Sequence, residues 1–114
     1  MTKIYHNPRC SKSRQTLQLL EDKGIQPEVI LYLENPPDAE TLKKLIKKLG
    51  ITPRLLLRKG EDEYKQNNLF DTSLSDDALI SAMVKFPKLI ERPIVVHGSK
   101  AALGRPPENV LSIL

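Results

Sequence analysis

Along the first ten residues, Lys3 to Tyr5 alternates polar and apolar positions and leads into the turn-forming run His6-Asn7-Pro8-Arg9-Cys10. Leu17, Leu19 and Leu20 then recur at spacings that suit one face of a helix, so the opening reads strand, turn, helix. Gly24 follows Lys23 and fits a helix stop, because glycine tolerates the left-handed cap conformation and a cation suits the last turn. A second strand is expected from about Glu28 to Leu33, a stretch rich in Val, Ile and Tyr. Two strands around a crossover helix make a βαβ unit.

Asn35-Pro36-Pro37-Asp38 breaks this pattern, and Asp38 can cap a helix whose Leu42, Leu45, Ile46 and Leu49 share a face before Gly50 ends it. Thr52 as cap and Pro53 at the first helical position start another, short helix that carries Leu55 to Arg58 and is closed by Gly60. Glu61 to Gln66 adds a further turn. Ser75 caps a helix with Leu79, Ile80, Met83 and Val84 inward, ended by Pro87. Strand character returns at Ile94 to His97, followed by a turn at Gly98-Ser99 and a short strand from Ala101 to Leu103. A last helix from Pro106 should turn Val110, Leu111 and Leu114 inward. The order is β-α-β, a helical insertion, then β-β-α.

At 114 residues the chain has the size of one domain, expected to span residues 1–114. Leu, Ile, Val and Phe make up 34 positions, enough to build a core and too many for a disordered chain. Only five aromatics occur and no Trp, which argues against stacking platforms for nucleic acid. No apolar run approaches the roughly 18 residues that cross a bilayer, and the opening has no signal-peptide core, so no membrane partner and a cytoplasmic location are expected. A net charge of +4 is compatible with an anionic ligand, and equally with plain solubility.

The lone cysteine, Cys10, excludes an internal disulfide and a Cys-rich zinc site. It follows the first strand and opens the first helix, where unpaired backbone N–H groups and the positive end of the helix dipole favour a thiolate. Arg9, Lys12 and Arg14 crowd the same stretch, and His6 stands four residues before the sulfur. Thiolates are the nucleophilic form. Ser13 falls where Cys-x-x-Cys redox proteins carry their second cysteine, so this thiol can attack but cannot resolve its own adduct. The plainer alternatives are a buried small hydrophobe for Cys10, a first-turn capping residue for Ser13 and a turn histidine for His6.

Arg92 immediately precedes the third strand and Arg105 the last helix, and an arginine at an element end can present its planar fork to an oxyanion. The lysine run Lys43, Lys44, Lys47, Lys48 instead reads as a solvated helix face. Arg58, on a short helix near a glycine, is by default a partner of the helix C-terminal dipole.

The blocks from His6 to Arg14, Leu56-Leu57-Arg58-Lys59, Glu91-Arg92-Pro93-Ile94-Val95-Val96 and Gly104-Arg105-Pro106-Pro107-Glu108 together resemble the ArsC family of arsenate reductases. The likeness is to its glutaredoxin- and glutathione-dependent branch, and within that to the YfgD-like subgroup of short members. It implies an α/β, thioredoxin-like fold with a helical insertion. It further implies that Cys10 attacks arsenate, that His6 and Ser13 support the thiolate, that Arg58, Arg92 and Arg105 hold the oxyanion, and that Pro93 is cis. Glutathione would act as co-substrate and glutaredoxin as partner, with no metal and no permanently bound cofactor. The chain departs from the resistance-linked members in stopping at Leu114, short of their C-terminal extension, and in carrying Arg9, Ser11 and Lys12 where they have small neutral residues. Two other readings share the same residues: an Spx-like regulator that binds RNA polymerase, and a monothiol, glutathione-linked thiol transferase.

Overall fold

The computed structural model describes residues 1–114, which divide into two compact units, Met1–Asn35 with Arg92–Leu114, and Pro36–Glu91. The first unit is built on a four-stranded sheet of β1 (Thr2–His6), β2 (Glu28–Leu31), β3 (Ile94–His97) and β4 (Lys100–Leu103), in the order β2-β1-β3-β4. β2 runs parallel to β1, which requires the crossover helix α1 (Ser11–Asp22); β3 and β4 are antiparallel additions. This is the thioredoxin-like α/β arrangement.

Burial follows the order of the sheet. The central strand β3 buries Ile94, Val95 and Val96 in succession, as expected of a strand covered on both faces, whereas Glu28 and Val29 of the edge strand β2 are exposed. The core of this unit is Ile4, Leu20, Val95 and Val110, all fully buried, with Leu17, Leu19 and Ile113 packed against them. No helix is long and apolar enough to cross a membrane.

Three expectations are corrected in this unit and its neighbour. β2 stops at Leu31 rather than Leu33, because the Glu34 and Asn35 N–H groups both donate to the Leu31 carbonyl (3.0 and 2.9 Å) and turn the chain at Tyr32, which is buried. The last element is a 3-10 helix, Pro107–Ile113, not an α-helix. At three residues per turn its inward row is Pro107, Val110 and Ile113, so Leu111 and Leu114 face solvent.

The second unit holds α2 (Ala39–Leu49), α3 (Pro53–Leu56), α4 (Asp62–Gln66) and α5 (Asp76–Lys85), followed by a 3-10 turn at Pro87–Leu89. Asp38 caps α2 by accepting from the Thr41 N–H at 2.8 Å, Gly50 ends it in the left-handed conformation (φ 68°), and Ser75 caps α5 through the Ala78 N–H. Thr52 makes no side-chain cap bond, and α3 closes at Leu56, two residues earlier than its apolar spacing suggests. Leu57 leaves the helix in extended conformation to bridge Ile90, so Arg58 lies outside any helix and Gly60 in a later turn. The third correction is therefore that Arg58 is not helix-borne.

The inward row of the last helix is testable. Val110→Ala should cost about 2 kcal/mol in urea unfolding, from lost burial plus the cavity left behind. Leu111→Ala should stay within about 0.5 kcal/mol of the parent. Equal costs would contradict the 3-10 register.

Candidate active site

The loop between β1 and α1 is closed by hydrogen bonds onto Asn7 and Pro8. The Cys10 N–H donates to the Asn7 carbonyl at 3.0 Å, the Arg9 N–H to Asn7 Oδ1 at 3.0 Å, and Arg14 Nη1 to the Pro8 carbonyl at 3.0 Å. This delivers Cys10 to the N-cap of α1 in extended conformation (φ −94°, ψ 122°), its carbonyl accepting the Arg14 N–H at 3.0 Å. The sulfur makes no cap bond to the helix, and no acidic residue occupies the first turn. A half-buried sulfur thus stands at the positive pole of a 12-residue helix.

Behind it, Ser13 is fully buried and ties the end of β1 to the first turn of α1. Its Oγ accepts the Asn7 N–H at 3.0 Å and lies 2.6 Å from Nδ1 of His6, the last residue of β1. With the ring proton on Nε2, Nδ1 accepts the serine hydroxyl; with it on Nδ1, the ring donates to Oγ. Burial lowers the His6 pKa, and the nearby Arg14 cation lowers it further, so the neutral ring is favoured. Ser13 is therefore a bridge between elements rather than the helix cap that its position also allowed.

A second segment reaches the same pole. Arg105 Nη1 lies 3.9 Å from Cys10 Sγ and 3.3 Å from the Arg92 carbonyl oxygen. Asn109 Nδ2 donates to the Arg105 carbonyl at 3.1 Å. The Arg92–Pro93 and Arg105–Pro106 peptide bonds are both cis. Two residues that sequence reasoning passed over hold this segment in place. A Cβ on Gly104 would collide with Thr16 Oγ1 and with Pro93 Cγ, while the Gly104 N–H donates to the Pro93 carbonyl at 2.9 Å. Thr16 is fully buried on α1 and donates to the Lys12 carbonyl at 2.8 Å. The signal for Gly104 was its place directly before Arg105; Thr16 gave none beyond being polar among helix leucines.

Arg58 lies in the second unit. Its N–H donates to the Leu89 carbonyl at 2.8 Å, Nη1 donates to Glu91 Oε1 at 2.9 Å, and Nε stands 3.5 Å from Glu61 Oε2. A non-helical backbone and two carboxylates replace the expected role as partner of a helix dipole. The first unit thus brings Cys10, His6, Ser13, Arg92, Pro93 and Arg105 into one unit, with Arg58 belonging to the other. Chemically, a cysteine sulfur at a helix N-terminus beside a guanidinium fits nucleophilic attack on an anion.

Comparison with known proteins adds a family. The ArsC family model matches residues 5–113. The uncharacterised protein YfgD of Escherichia coli K12 is 63% identical over 113 residues, covering 98% of this chain and 95% of that one. An arsenate reductase of Neisseria meningitidis serogroup A is 50% identical over 98% of this chain and 97% of its own length. The solved structure of an arsenate reductase from Vibrio cholerae superposes with a TM-score of 0.97 at 58% identity, covering 99% of this chain and 97% of that one.

Two outcomes test the geometry. The folded state holds His6 below its ordinary pKa, so its contribution to stability is present above about pH 6.5 and is lost as pH falls through the folded value. The melting temperature should therefore fall from pH 7 to pH 5, and fall less in His6→Asn, whose amide oxygen can take the place of Nδ1; equal falls would exclude His6 as the source. Gly104→Ala should lower unfolding free energy by about 1–3 kcal/mol through the clash with Thr16 and Pro93. An unchanged urea midpoint would show that the two segments are not in close contact.

Proposed function

The chain belongs to the ArsC family, and on that premise we propose that it is a cytoplasmic arsenate reductase that works through one thiol. The observation that carries this reading is the sulfur of Cys10 at the α1 N-terminus with Arg105 Nη1 at 3.9 Å. Such a pole favours a bound oxyanion.

In the first step Cys10 attacks the arsenic of arsenate and a hydroxide leaves, forming the S–As bond. Arg58, Arg92 and Arg105 are the proposed oxyanion ligands, offsetting charge on the oxygens as it develops. His6 and Ser13 keep the loop and first turn in register, so that Cys10 is presented at the pole. Because Ser13 stands where a resolving cysteine would, both reducing electrons come from outside thiols. Glutathione condenses with the adduct at arsenic, releasing water. The thiolate of glutaredoxin then attacks the glutathione sulfur; the S–As electron pair passes to arsenic, reducing As(V) to As(III), and the mixed disulfide departs on glutaredoxin. Hydrolysis of the remaining Cys10–As bond frees arsenite and the thiol. No step calls for a metal or a resident organic cofactor.

Arsenate turnover with glutathione and glutaredoxin is the direct test. Cys10→Ser should abolish it, and activity retained in that variant would refute the mechanism. Arg92→Ala and Arg105→Ala should each lower kcat/KM by about 10²-fold, the scale of a lost oxyanion donor. Turnover of a small mixed disulfide in place of arsenate would favour a thiol transferase.

A further inference from the structure

A cavity of about 300 Å³ opens at the C-terminal ends of the parallel strands β1 and β2, on the loop that leads to Cys10. Its volume is that of a small-ligand site, and the carboxyl ends of parallel strands are where α/β sheets take their ligands. Both rims are held by hydrogen bonds from backbone N–H groups. On one, the Arg9 N–H and the Cys10 N–H close onto Asn7; on the other, the Glu34 and Asn35 N–H groups close onto the Leu31 carbonyl. A cavity with fixed rims costs little ordering on binding.

Its charges are arranged in a way that the oxyanion chemistry does not use. Arg9 lines one rim and Glu34 the other, both are exposed, and neither side-chain charge is engaged in a hydrogen bond or ion pair within the chain. Leu31 and the 40% exposed Leu33 supply an apolar surface in the same cavity. A simple anion would meet Glu34 and a simple cation Arg9, so the lining discriminates against both. It complements a small molecule that carries a carboxylate and an ammonium on a short stem.

We propose that this cavity docks the thiol co-substrate, a small zwitterionic peptide thiol. The assignment rests on Cys10 forming an adduct that an external thiol must resolve. A thiol seated against residues 6–9 lies on the segment that runs directly into Cys10, and the cavity is shaped before the adduct forms.

The test is an amide chemical-shift titration of the Cys10→Ser protein with S-methylglutathione, which binds but cannot react. The largest shifts are expected at Asn7, Arg9, Leu33 and Glu34, with Kd raised about tenfold by Glu34→Ala and by Arg9→Ala, the scale of one charge-assisted contact. In the Cys10-containing enzyme with glutaredoxin, Glu34→Ala should raise KM for glutathione about tenfold while KM for arsenate moves less than about twofold. Shifts centred on Arg92 to Ile94, no shifts, or an unchanged Kd in Glu34→Ala would overturn the proposal. Binding here without arsenate turnover would remove the arsenate reading and leave the cavity assigned; turnover without binding here would do the reverse.

Discussion

The backbone of Gly104 lies against Thr16 on α1 and Pro93 before β3, closer than any side chain would allow, and the position of Arg105 follows from that contact. The Gly104–Pro93 hydrogen bond joins the start of β3 to the end of β4, and Thr16 Oγ1, 3.4 Å from the Gly104 carbonyl oxygen, brings α1 onto the same spot. Arg105 is the next residue, so its guanidinium is brought to the Arg92 carbonyl and to the Cys10 sulfur. A glycine with no role of its own in the chemistry therefore sets the distance between a cation and a nucleophile that lie 95 residues apart.

The electrostatics of the Cys10 loop are divided between structure and binding. Arg14 is turned back to the Pro8 carbonyl, where it closes the loop and helps to keep His6 neutral. Ser13 uses its hydroxyl to join the end of β1 to α1, which is why a buried polar side chain is tolerated there: both of its contacts are hydrogen bonds. Arg9, by contrast, lines the adjoining cavity opposite Glu34. Crowded cations that look equivalent along the sequence are thus used for different purposes once the loop is closed.

In the helical unit, Arg58 illustrates the same division. Its guanidinium carries Glu91 on one nitrogen and has Glu61 near another, so its charge is balanced within the unit in the absence of an anion. Glu91 is followed directly by Arg92, whose carbonyl holds Arg105. Consecutive residues therefore each orient one arginine, through a carboxylate in one unit and a backbone carbonyl in the other.

Much of this was legible in the one-dimensional pattern. The strand-turn-helix opening, the βαβ crossover, the caps at Asp38 and Ser75, the stop at Gly50 and the apolar run of β3 all rest on local spacing and on conformational preferences of single residues, which act before any long-range contact forms. The placement of Cys10 at a helix start belongs to the same class, and the motif blocks around it sufficed to suggest the family. The ends of β2 and α3, the 3-10 form of the last helix and the non-helical course of Arg58 were not legible. Each depends on a partner distant in sequence or on which turn the core could accommodate: Ile90 drew Leu57 out of its helix, and the core took a row spaced by three at Pro107, Val110 and Ile113. The contact of Gly104 with Thr16, and with it the approach of Arg105 to the sulfur, was decided by tertiary structure alone, because the close approach of a side chain to a distant glycine leaves no periodic trace in the sequence around either.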